Sequence, residues 1–135
     1  MDTLVQTLIE EKCENFKFLS KDECLDLVTG NDLLILTDVN KKSRIALDDS
    51  LDKFSEIMVV DHHEIDDDSV SLDNAGIFPQ ASSASEIVTN LLRLFQIKYD
   101  ENVATALLAG INLDTNNYTK NRTGTTLRAI ANLMD

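Results

Sequence analysis

Two short apolar runs punctuate the chain, Leu33-Leu34-Ile35-Leu36-Thr37 and Ile57-Met58-Val59-Val60. Unbroken runs of this length predict strands buried on both faces of a parallel sheet. Around them apolar residues recur at helical spacing. Leu4, Val5, Leu8 and Ile9 predict an amphipathic helix over residues 2–14. Cys24, Leu25, Leu27 and Val28 predict an inward helical face over 21–29, opened by a capping box from Ser20 to Glu23 and closed by Gly30. Ile87, Val88, Leu91, Leu92 and Phe95 predict a helix over about 84–96, behind a second box from Ser83 to Glu86. Asp100 caps the next helix, whose stripe is Val103, Leu107, Leu108 and Ile111, and Leu127, Ile130, Leu133 and Met134 predict a last helix from about Thr125. Phe16-Lys17-Phe18 alternates and predicts a short edge strand, and Pro79 ends a loop or another edge strand. Strands alternate with helices, so the class is α/β with a parallel sheet. No repeat or linker interrupts the pattern, which predicts a single domain over residues 1–135.

Charge narrows the partners. With 24 acids against 12 bases the formal net charge is −12. Duplex DNA needs clustered Lys and Arg, so a duplex-binding surface is excluded. A phosphate substrate is not, because bound divalent cations can supply the positive charge. Cys13 and Cys24 are expected reduced, one on each of two helices. No apolar run approaches the ~20 residues of a membrane helix, and no cleavable leader is legible. The expected location is cytoplasmic, with any membrane anchor in other parts of a longer parent chain.

Chemistry gathers where the strands end. The first run delivers Asp38, the second Asp61-His62-His63, and the Asp100-capped helix carries Asp114 near its end. In open α/β sheets ligands bind beyond the carboxyl ends of the strands. An acid after a strand is commonly just a loop or cap residue, but the two histidines have little packing value there. Carboxylates with imidazole suit Mn²⁺, Mg²⁺ or Zn²⁺. One ring can bind metal while its neighbour faces substrate. Asp66-Asp67-Asp68 is read as a solvated loop.

Val59-Val60-Asp61-His62-His63 resembles the signature of the DHH phosphoesterase superfamily. Leu34-Ile35-Leu36-Thr37-Asp38 and Leu108-Ala109-Gly110-Ile111-Asn112-Leu113-Asp114-Thr115 resemble its neighbouring motifs in order. Ala81-Ser82-Ser83-Ala84-Ser85-Glu86-Ile87-Val88, with Tyr118-Thr119 and Arg122-Thr123-Gly124, is most similar to the membrane-anchored cyclic-di-AMP phosphodiesterases of the GdpP type. The resemblance implies a three-layer sandwich around a mostly parallel sheet. It implies a metal site of Asp38, His62 and Asp114, with Asp38 bridging two Mn²⁺ ions for which Mg²⁺ or Co²⁺ could substitute. It implies a catalytic His63 facing the phosphate, Asp61 supporting the histidines, and Ser82, Ser83, Arg122, Thr123 and Gly124 near a nucleotide substrate.

The superfamily's first motif, a histidine followed by two aspartates, has no counterpart before Asp38, and Asn40 stands where GdpP-type relatives usually carry histidine. The chain is therefore expected to be the C-terminal portion of a DHH domain from a manganese-dependent phosphodiesterase. That enzyme would act on cyclic-di-AMP or short dinucleotides, and the isolated chain would be inactive. A degenerate domain binding a nucleotide or partner, and a pyrophosphatase or nano-RNase of the same superfamily, are the alternatives. An exposed strand edge predicts self-association.

Overall fold

The computed structural model describes residues 17–70 and 75–135. The helix expected over 2–14, with Cys13, lies outside the described residues, as does Phe16. Of the edge strand expected over 16–18, Lys17 and Phe18 are irregular and join no ladder among the described residues.

Helix α1, Lys21–Leu27, opens on the expected capping box: the Ser20 hydroxyl accepts the Glu23 amide at 3.3 Å, and the Glu23 carboxylate accepts the Ser20 amide at 2.8 Å. It stops earlier than Gly30, which follows in a left-handed turn at φ +82°. Of the inward face expected of Cys24, Leu25, Leu27 and Val28, Leu27 is exposed and the other three are half-buried. No residue of the helix is buried, and its fastening is polar, a 2.6 Å ion pair from Lys21 to Asp49.

Strands β1 (Leu33–Thr37), β2 (Glu56–Asp61) and β3 (Ala75–Ile77) lie in that order, every pairing parallel. The strand glimpsed before Pro79 is thus β3. The register pairs Leu36 with Val59 and Thr37 with Val60, which brings the ends of β1 and β2 to one rim. Leu34, Leu36, Ile57 and Val59 alternate onto one face. There they meet Ile45, Leu47, Leu51 and Val70, so the connection that reads as polar in sequence folds into two 3₁₀ turns (Lys42–Arg44 and Asp48–Lys53) and supplies core residues.

Burial on both faces, expected from the apolar runs, is corrected. Leu33, Ile35 and Met58 on the second face are 47%, 52% and 40% exposed. The helices reach this face at the carboxyl end of the strands, where Thr37, Ala84, Val88 and Leu107 border one crevice.

Helices α2 (Ala84–Leu94), α3 (Glu101–Asp114) and α4 (Gly124–Met134) open on Ser83, Asp100 and Thr123, each side chain accepting an amide of the first turn. Ala104, Ile111, Ala129 and Leu133 form the core between α3 and α4. Gly110 sits where α3 crosses α2 so closely that a Cβ there would lie 2.1 Å from Ser85 Oγ. Among the described residues the fold is α/β, a parallel sheet with α2, α3 and α4 on one side and the 3₁₀ turns, to which α1 is tied, on the other.

Candidate metal and phosphate site

Asp38 follows β1 directly. Its amide still donates to Val60 O at 3.0 Å, but its backbone then turns left-handed at φ +63°. Such a conformation strains most side-chain-bearing residues by ~1 kcal/mol or more, and Asp tolerates it better than most. On β2, Val60 and Asp61 are anchored in the sheet, and His62 stands at the rim beside Asp38. Asp114 arrives from the last turn of α3. His62 Nε2 lies 3.3 Å from Asp38 Oδ1 and 3.8 Å from Asp114 Oδ2. Three elements far apart in sequence therefore aim two carboxylates at one imidazole nitrogen.

The electrostatics of this trio favour a cation. Partial burial and the neighbouring Asp38 carboxylate hold Asp114 above the ordinary carboxyl range, while His62 and His63 pull it back down. A positive ion between the carboxylates would relieve both causes. The spacing agrees. Ligand atoms ~2.1 Å from one ion sit ~3.0–3.4 Å apart at octahedral to tetrahedral angles. The 3.3 Å pair meets this as it stands, the 3.8 Å pair must close, and Asp114 stands outside the group whose donor atoms all lie within 4.8 Å of one another, so it would have to draw in on an ion. Oxygen with imidazole is a donor set for Mn²⁺, Mg²⁺ or Zn²⁺.

Asp38, Asp61, His62 and His63 also offer donor atoms within 4.8 Å of one another. Asp61 nevertheless has other work. It is fully buried, and its Oδ1 accepts the His62 amide at 2.7 Å, the His63 amide at 3.2 Å and His63 Nδ1–H at 2.7 Å. Its Oδ2 accepts from Asn40 Nδ2 at 2.8 Å. Four donors on one carboxylate leave Asp61 as the brace of the Asp-His-His turn. His63 Nδ1–H thus points inward, and the other ring nitrogen, Nε2, becomes the working edge.

That ring borders an open cleft of about 500 Å³, with His62 and Glu64 beside it, Pro79, Gln80 and Ala81 on one wall, and Asn121, Arg122 and Thr123 on the other. The Arg122 guanidinium donates to the Tyr118 carbonyl, which ties it to its own loop. Arg122 and Thr123 therefore line the same cleft as the two histidines.

Ser82 and Ser83 do not line the cleft. Both are buried. Ser83 Oγ accepts the Glu86 amide at 3.0 Å, but the Glu86 carboxylate returns to Ser82, not to Ser83. The capping box legible in the sequence is thus half formed, its return arm displaced by one residue. Gly124 is the first residue of α4, and the nearest heavy atom to a Cβ there would be Arg128 Nη1 at 3.4 Å.

Sequence reasoning passed over Asn40 as the partner of Asp61, and Gln80 and Asn121 as cleft residues. Asn40 is 1% exposed, and a buried amide between two hydrogen-bonding groups is a signal that polarity alone does not give. Asp66 pairs with Lys41, and Asp68 accepts from Ser43 Oγ at 2.5 Å. Cys24 is a free thiol. Among the described residues no helix is long and apolar enough to cross a membrane.

Residues 2–111 match the family described as DHH family, N-terminal domain. The chain is 34% identical over 128 residues to the cyclic-di-AMP phosphodiesterase GdpP of Bacillus subtilis (strain 168), covering 89% of this chain and 19% of that protein. It is 39% identical over 105 residues to the cyclic-di-AMP phosphodiesterase PdeA of Listeria monocytogenes serotype 1/2a (strain 10403S), covering 74% and 16%. The chain thus spans about a fifth of the length of the curated relatives it matches. In fold it is similar to an exopolyphosphatase-related protein from Bacteroides fragilis, with a TM-score of 0.74, 20% identity, and coverage of 94% of this chain and 39% of that one.

Proposed function

This chain belongs to the DHH family, and from that premise we propose that it carries part of the catalytic face of a divalent-metal phosphodiesterase hydrolysing cyclic-di-AMP. One observation carries the reading: the carboxylates of Asp38 and Asp114 converge on His62 Nε2 at the rim of the sheet. Support for the substrate comes from the cyclic-di-AMP phosphodiesterases to which the chain is similar.

Asp38, His62 and Asp114 would hold the metal, with Mn²⁺ the proposed ion. When bound, it supplies an activated water and positive charge against the phosphate oxygens. The protein's own groups do the rest. Asp61 fixes His63 with Nδ1–H inward, so Nε2 meets the substrate as an acceptor or, protonated, as a donor to a phosphate oxygen. Arg122 on the facing wall adds a fixed positive charge. With a net charge of −12, the chain needs such local cations to hold an anionic dinucleotide.

The test is turnover of cyclic-di-AMP by the natural full-length polypeptide with Mn²⁺, followed by chromatography of the linear dinucleotide product. Activity confined to pyrophosphate or short RNA overturns the reading. A second reading, a domain that binds the nucleotide without cleaving it, is favoured by the ligand count. Among the described residues three side chains meet at His62 Nε2, which suits one loosely held ion better than a pair. Calorimetric binding of cyclic-di-AMP without turnover is its signature.

A further inference from the structure

We infer that Glu86 is a positioning residue that locks together the two loops flanking the histidine cleft. Glu86 is 2% exposed, and none of the ion pairs among the described residues involves it. Three donors converge on its Oε2: the Ser82 amide at 2.9 Å, the Ser82 hydroxyl at 2.7 Å and the Thr126 hydroxyl at 2.8 Å. Ser82 directly follows the cleft wall of Pro79, Gln80 and Ala81, and Thr126 lies in the first turn of α4, three residues after Thr123, where the other lining segment ends. One carboxylate oxygen therefore bridges Ser82 to Thr126, which lies 40 residues beyond Glu86 in sequence.

The bond directions are fixed by what a carboxylate can do. It accepts only, so the hydroxyls of Ser82 and Thr126 both donate to it. Thr126 has one proton, now committed. In its 3.1 Å contact with Thr123, the Thr123 hydroxyl must then be the donor, while Thr126 Oγ1 also accepts the Thr123 amide at 3.0 Å. Thr123 Oγ1 in turn accepts the amides of Thr125 and Thr126, each at 3.2 Å. The chain of bonds runs with one polarity from Thr123 through Thr126 to Glu86. A buried carboxylate without a counter-ion is costly, and a buried Leu would fill the volume without that cost. Packing does not account for it, whereas coupling the two walls does. Glu86 touches neither histidine nor metal carboxylate, so its effect on turnover is on the shape of the cleft.

The bearing on turnover rests on the phosphodiesterase reading above; the coupling of the loops does not. The test uses the natural full-length polypeptide and the variants Glu86→Leu, Glu86→Gln and Thr126→Val. In Glu86→Leu, amide hydrogen exchange is expected to quicken about tenfold in both 78–83 and 119–124, and Gln, which keeps one acceptor oxygen, restores part of the protection. Thr126→Val breaks the same link from the other side and is expected to loosen 78–83 as well, which keeps the question answerable should Glu86→Leu fail to fold. With cyclic-di-AMP and Mn²⁺, KM should rise about tenfold in Glu86→Leu and Thr126→Val, with kcat within about threefold of the parent. Loosening of the mutated segment alone, or a lower melting temperature with KM unchanged, overturns the inference. An unmutated protein that does not cleave cyclic-di-AMP sinks the proposed function instead, and the exchange data still decide whether Glu86 couples the loops.

Discussion

Asn40 Nδ2 donates to Asp61 Oδ2 at 2.8 Å, and both side chains are buried from solvent. Asn40 also donates to the His63 carbonyl at 3.3 Å and accepts from Ser69 Oγ at 2.9 Å. The amide thus clamps the Asp-His-His turn against the loop that follows it. Asn40→Ala leaves Asp61 Oδ2 buried without its donor, a loss of about 1–3 kcal/mol. At roughly 4 °C per kcal/mol in a domain this size, calorimetry should read a melting temperature lower by about 4–12 °C. Asn40→Asp should be worse, because it sets a second buried carboxylate against Asp61. An Asn40→Ala protein that melts with the parent would remove Asn40 from the brace.

Asp38 combines a left-handed backbone with a carboxylate 3.3 Å from His62 Nε2. Asn accepts the same backbone and lacks the charge, so Asp38→Asn separates the two roles. Its melting temperature without metal is expected within about 2 °C of the parent. The rise in melting temperature on adding Mn²⁺ should largely vanish, since a ligand stabilises only the state that binds it. Asp38→Ala should lose metal binding and about 1 kcal/mol of stability besides. Equal Mn²⁺-induced shifts in parent and Asp38→Asn would take Asp38 out of the metal site.

The first two strands, the caps of α2 and α3 and the rim location of the acids and histidines were legible because each rests on local signals, whereas the Thr123 cap of α4 was not singled out. The run Leu33 to Thr37 is β1 residue for residue, and Asp100 caps α3 as its position before the apolar stripe suggests. What was not legible depends on contacts across the fold. The inner face of the Lys42–Lys53 connection comes from Ile45, Leu47 and Leu51 spaced too irregularly for helix or strand. An apolar run reports that a strand is apolar, not which face is covered, so Leu33, Ile35 and Met58 could not be told from Leu34 and Leu36. The displacement of the Glu86 arm from Ser83 to Ser82 is a matter of one residue in backbone direction, and Thr126, its third donor, lies 40 residues away.

The crossing of α2 and α3 governs where Asp114 stands. A Cβ on Gly110 would lie 2.1 Å from Ser85 Oγ and 3.0 Å from Ser85 Cβ, both closer than atoms pack. Gly110→Ala therefore pushes the helices apart about one turn before Asp114. Overpacking of this kind costs about 1–3 kcal/mol, and the widened 3.8 Å contact to His62 should weaken Mn²⁺ affinity as well. Ser85→Gly removes the clashing side chain, so the double variant should recover most of both losses. Failure of that rescue, measured by melting temperature and Mn²⁺ titration, would mean that the crossing does not set the metal site.

The pH dependence of the metal-free protein follows from Asp114, whose carboxyl is held above its ordinary value of 3.8 by burial first and by Asp38 second. A carboxyl raised in the folded state binds its proton more tightly folded than unfolded. Its favourable contribution is therefore present at acid pH and is lost as pH rises from about 3.8 through the raised value. At neutral pH the ionised group opposes folding. Asp114→Asn keeps the shape without the charge, so the metal-free variant should melt above the parent at pH 7, and the difference should close as pH falls to 3.5. Mn²⁺ reverses the order, because the cation favours the ionised carboxylate and finds only a neutral amide in the variant. Saturating Mn²⁺ should therefore stabilise the parent more than Asp114→Asn. A variant that melts below the parent without metal at pH 7 would show that the Asp114 charge is compensated by His62 and His63, and the case for a cation there would lose its electrostatic half.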